Sequence, residues 1–139
     1  SQQPKQTQSA YADEKQQDEQ AVDGSVTFHG MKYSLEKQSD GKTAVVRTSD
    51  SGTKSVLFEV EGTPTSLILF NDTILVPENR DSGWDVVACA LVDGSLPTLI
   101  ADKDGKAVGG NGTITAATLD GTTLKVTDST GNTTSVALQ

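Results

Sequence analysis

Residues 71–83 read NDTILVPENRDSG and set Asp72, Glu78, Asp81, Arg80, Asn71 and Asn79 around a short apolar run. Carboxylates gathered this closely are what a general acid–base pair or a hard-cation site requires. The same residue types also build hairpin turns, because Asn and Asp side chains bond nearby backbone and tolerate left-handed φ, and Gly adopts it freely. Internal comparison separates the two. DGKTAVVRTSDSG from Asp40, NDTILVPENRDSG from Asn71 and DGTTLKVTDSTG from Asp120 each open on an Asx-containing turn and continue through an apolar run. Each closes on a Gly, at offsets of 12, 12 and 11. The polar residues recur where turns recur, so the cluster is predicted to be two turns flanking a strand.

Other residues with chemical potential are few. DKDGK at 102–106 offers Asp102 and Asp104 before Gly105, but lacks the further oxygen ligands and the bidentate Glu of a calcium loop, and is predicted to be a plain turn. His29 is the single histidine, which removes the common zinc constellations, and its place before Gly30 predicts a strand end or turn. Cys89, the single cysteine, lies in DVVACALV and is predicted to be a buried thiol that behaves as a small apolar side chain. There is no G-x-S-x-G, H-E-x-x-H or C-x-x-C, and no phosphate-cradling glycine loop. The sequence therefore predicts no enzyme, no cofactor and no metal; a Ser, His29 and Asp arrangement of unfamiliar order is the residual catalytic alternative.

Trp84, in DSGWD, is the one tryptophan among six aromatic residues. It is predicted to anchor the start of a strand, with a second role as a sugar-stacking residue flanked by Asp81 and Asp85. Asn111, in GGNG, is a candidate loop-tip contact. Trp84, Asp81, Asp85 and Asn111 are thus the candidate ligand-binding residues.

The elements that must position these residues are strands. From Gly24 onward, short Val-, Ile-, Leu- and Thr-rich runs alternate with Asp-Gly, Asn-Asp, Ser-Gly and Gly-Asn turns. The candidate strands are SVTF, KYSLE, TAVVRT, KSVLFEV, TSLILF, TILVP, WDVVACALV, PTLIA, TITAATL, TLKVT and TSVAL. The predicted fold is all-β, a single antiparallel sandwich or barrel-like meander of about 8–11 short strands over residues 24–139. WDVVACALV is apolar on both faces and is predicted to be central, together with SLILF. Pro77 is expected at a strand terminus or edge, and Pro77, Lys54 and Lys125 are candidate guards of open edges.

Residues 1–23 are rich in Gln, Ser, Asp, Glu and Lys, with only Tyr11 and Val22 as larger apolar residues. They are predicted to form a flexible leader. Its composition resembles the spacer that follows the lipidated cysteine of bacterial surface lipoproteins, and the resemblance implies a tether. WDVVACALVDGSLPTLIAD resembles the outer hairpin of a β-propeller blade of extracytoplasmic proteins, although the strand-forming length is too short for a closed propeller. The formal charge of −8 opposes binding to nucleic acid or to an anionic bilayer. No apolar run of membrane-spanning length is present, and an exported protein would be in its mature form. These features together predict a non-catalytic extracytoplasmic module, secreted or anchored at the cell surface, that binds a protein or cell-surface ligand. A carbohydrate-binding module using Trp84 and a self-associating structural subunit are the alternatives, with the oligomeric state open.

Overall fold

Each of the candidate strands is a strand in the computed structural model, which describes residues 19–21 and 23–138. Residues 1–18 of the expected leader lie outside the described residues. Along the chain the strands are β1 (Glu19–Gln20), β2 (Val26–Phe28), β3 (Met31–Lys37), β4 (Thr43–Thr48), β5 (Lys54–Val60), β6 (Thr63–Pro64) and β7 (Ile68–Phe70). They continue with β8 (Thr73–Asn79), β9 (Trp84–Ala90), β10 (Thr98–Leu99), β11 (Gly109–Gly110), β12 (Ile114–Asp120), β13 (Thr123–Asp128) and β14 (Thr133–Ala137).

The strands form three antiparallel sheets. The first is β1-β2-β3-β4-β5; the second is β10-β9-β8-β6, with β7 also on β8 and β11 also on β9; the third is β12-β13-β14. The turns carry the conformations their residues favour. His29 and Gly30, at φ 50° and 80°, make the two-residue connection of the β2–β3 hairpin, and Asn71 sits at φ 55° before β8. Gly52, Gly83 and Gly131, which close the three repeated segments, all have φ near +90°.

No sheet closes on itself among the described residues, so the barrel alternative is set aside. The single sandwich becomes a stack with two apolar interfaces. Val26, Phe28, Tyr33, Val45, Phe58 and Val60 of the first sheet meet Leu67, Ile74, Val76, Val87 and Cys89 of the second. The other side of the second sheet, Ile68, Leu75, Trp84 and Val86 with Val108, meets Leu124, Val126, Val136 and Leu138. The two-faced pattern of WDVVACALV thus has a physical basis, because β9 is covered on both sides.

Pro77 departs from expectation. It is fully buried inside β8 and stands opposite Val86 of β9. Its carbonyl accepts from the N–H of Thr65, so its missing donor points to the same side, where the partner of β8 changes from β7 to β6. The interior position is tolerated because no ladder bond is owed at that break. Lys125 likewise guards no edge, since β13 is the middle strand of its sheet; Lys54 does lie on β5, an edge strand.

Candidate functional site

The hairpin of β8 and β9 collects most of the polar chemistry predicted from the sequence, but distributes it differently. Alternation along β9 sends Trp84 to the third sheet and Asp85 to the first. Trp84 is 3% exposed, its Nε1–H donates to Asp128 Oδ2 at 3.3 Å, and a Cβ at Gly110 would lie 2.8 Å from that nitrogen. The GGNG stretch therefore brings backbone flat against the indole, through pairing of β11 with the start of β9. A ring this enclosed offers no face to a sugar, and the stacking role considered for Trp84 is withdrawn. Asp81 and Asn111 are both exposed, on neighbouring loops, while Asp85 faces away from the indole.

Glu78, which the sequence assigned with its neighbours to a turn, has a different place. It is fully buried and stands directly opposite Asp85 in the β8–β9 ladder. Like charges directly across a strand pair repel, so this position needs compensation. Arg80 supplies part of it: Nη1 lies 3.2 Å from Glu78 Oε2 and 3.3 Å from Asp85 Oδ2. The backbone N–H of Gly62 donates to Glu78 Oε1 at 2.8 Å. Only glycine fits there, because a Cβ would press on the Asn79 carbonyl, Arg80 Cδ and Glu78 Oε1.

The remaining compensation is a proton. Asp85 Oδ1 is buried and, as a carboxylate oxygen, has no donor. A proton held by Asp85 relieves the repulsion from Glu78. In keeping with this, burial first, then the hydrogen bond and charge of Glu78, push Asp85 up to about 7 against the opposing pull of Arg80. Asn79, beside Glu78, accepts the Ile114 N–H at 2.8 Å through Oδ1 and so ties this end of the second sheet to the third.

The other candidates settle into structural roles. Asp102 Oδ1 accepts from the N–H groups of Asp104 and Lys106 and closes its turn. Cys89 is 2% exposed in the first interface, where burial pushes its thiol up. His29 lies at the tip of the β2–β3 turn with its ring stacked on Phe28. Among the described residues no three His, Cys, Asp or Glu side chains converge as a metal-ligand set.

Clefts flank the hairpin. One of about 530 Å³ runs between the β3–β4 turn and the 80–83 turn, with Lys42, Glu61, Arg80 and Asp81 on its walls. A second, about 280 Å³, is lined by Glu59, Glu61, Glu78 and Arg80 together with Val87, Pro97, Thr98 and Leu99. A third, also about 280 Å³, lies between the first sheet and residues 90–95, lined by Tyr33, Arg47, Val56, Leu57, Leu91 and Val92. The four large apolar side chains exposed among the described residues all border the last two clefts or the loop between them: Val56 at 53%, Val92 at 58%, Leu96 at 78% and Leu99 at 46%. Comparison of the chain with protein-family models, with curated proteins and with solved structures finds no match.

Proposed function

We propose that this chain is a non-catalytic, extracytoplasmic protein-binding module whose contact surface is the edge formed by β5 and residues 92–99. The observation that carries the proposal is the gathering of Val56, Val92, Leu96 and Leu99 on one edge. Single exposed apolar residues are ordinary, whereas a cluster bordered by polar residues is the mark of an interface. Loops 78–84 and 102–112 offer less to a partner. The first is a tight turn between two buried residues, Glu78 and Trp84, and the exposed residues of the second are mostly polar or glycine.

The non-catalytic reading rests on the Glu78–Asp85–Arg80 group. Glu78 has no exposure and is held by the Gly62 N–H and Arg80, and Arg80 also holds Asp85, so the group serves to brace the hairpin. The extracytoplasmic placement rests on the leader composition and the acidic surface. The test is photo-cross-linking on the cells that produce the protein. A photoreactive side chain at position 96 is expected to capture a discrete partner and one at position 103 to capture none. Equal capture from both positions, or none from 96, would refute the assignment of the edge.

A further inference from the structure

The chemistry around this edge also specifies its partner, and the inference rests on the protein-binding reading just given. We propose that the edge receives an extended segment of another protein, carrying a Lys or Arg for the cleft beside Glu59 and Glu61 and an apolar side chain for the cleft beside Val56 and Val92. Among the described residues neither Glu59 nor Glu61 has a cationic group within 4 Å, and Glu61 feels the charge of Arg80 only from farther off. Arg80 also lines this cleft, but its guanidinium is held by Glu78 and Asp85. Val87, Pro97 and Leu99 add apolar surface to the same lining. Carboxylates and aliphatic groups lining one cleft suit a long basic side chain, whose methylene stem packs while its charged head stays at the rim.

The neighbouring cleft has a different character. Tyr33, Val56, Leu57, Leu91 and Val92 form an apolar stretch of its lining beside the polar Arg47, Ser55 and Asp93, and that stretch suits a branched aliphatic or aromatic side chain. Both clefts have β5 as a shared wall, with Val56 and Leu57 at one and Glu59 with the following Glu61 at the other. At about 3.3 Å per strand residue, those positions are separated by roughly 10–15 Å. An extended segment reaching both needs its two anchors about four residues apart.

The same strand argues against a second copy of this chain. β5 is an edge, and edges invite pairing. Yet its register against β4 shifts between Val45 and Val46, which leaves Leu57 as an extra, bulged residue, and Lys54 stands at its start, ion-paired to Glu36 at 3.0 Å. A bulge and a charge interrupt a continuous added ladder. Recognition therefore passes through side chains in the clefts.

The probe is a phage-displayed library of random dodecapeptides selected against the full chain, followed by a synthetic peptide of the enriched sequence. The expected enrichment is Lys or Arg about four residues from Leu, Ile, Val or Phe. Binding of that peptide is expected to weaken on the order of tenfold in Glu59→Lys/Glu61→Lys and in Leu96→Asp, and to weaken with added salt. Trp84 emission monitors that both variants remain folded. Enrichment of acidic or uncharged peptides, or peptide affinity indifferent to these substitutions, would overturn the proposal while a cross-link from position 96 kept the binding edge. Absence of both selected peptides and cross-link would remove both, and concentration-dependent dimerisation abolished by Leu96→Asp would assign the edge to a second copy instead.

Discussion

Replacing Asp85 by Asn tests the proton at the centre of the β8–β9 hairpin. The amide retains a donor for Glu78 and an acceptor for Arg80, but it cannot ionise. In the native protein Asp85 titrates at about 7, against 3.8 for the ordinary side chain. The folded state therefore keeps a proton that the unfolded state releases. Stability attributable to this residue is intact below about pH 4, falls as pH rises from about 4 to 7, and is lost above 7. The full shift corresponds to about 4 kcal/mol at 1.36 kcal/mol per pH unit. Arg80 is 41% exposed and water reaches the rim of the group, so about 2 kcal/mol is the working figure after screening. Urea unfolding followed by Trp84 fluorescence at pH 4.5, 6 and 8 measures it. Asp85→Asn is expected to match the wild type at pH 4.5 and to exceed it by about 2 kcal/mol at pH 8. A difference between the two proteins that stays flat with pH, or that favours the wild type more at pH 8 than at 4.5, would refute the reasoning.

Three further outcomes are expected. Glu78→Ala leaves the Gly62 N–H and part of the Arg80 guanidinium without an acceptor, and should cost roughly 3 kcal/mol in the same unfolding assay at pH 7. Gly110→Ala places a methyl group against Trp84 Nε1, Cε2 and Cζ2 and should cost about 2 kcal/mol, with a change in Trp84 emission, whereas Gly94→Ala, which meets nothing, should leave that emission unchanged. Iodide should scarcely quench Trp84 in the native state and should quench it strongly in urea, because the ring is 3% exposed.

The strands were legible because turn residues and apolar alternation are local signals. TLKVT carries that alternation along its length, whereas KSVLFEV keeps it only over 58–60, because the bulge at Leu57 leaves Val56 exposed. The two-residue strands β1, β6 and β11 are too short to carry any period, and they exist through their partners. WDVVACALV announced a strand apolar on both faces, but nothing in it says that separate sheets cover the two faces. Pro77 was misplaced because the change of partner from β7 to β6 is a property of the neighbours. The burial of Glu78 was not foreseen for a similar reason: a glutamate beside a turn is ordinarily solvated, and its burial becomes visible only once Asp85, Arg80 and Gly62 are brought together. The exposed apolar edge was hidden as well, since Val92, Leu96 and Leu99 look no different in sequence from residues of the core.

The stacking of three sheets also orders the events of chain emergence. Each sheet is built from sequence neighbours, so the first and second can pair and pack before residues 114–138 are available. Until then Leu75, Trp84 and Val86 have no cover on their far side. The chain thus passes through a stage that is folded at its front and adhesive at its back, the condition in which a chaperone is most useful and a misassembled pair most easily formed. A chain cut short before β12 would be held at that stage.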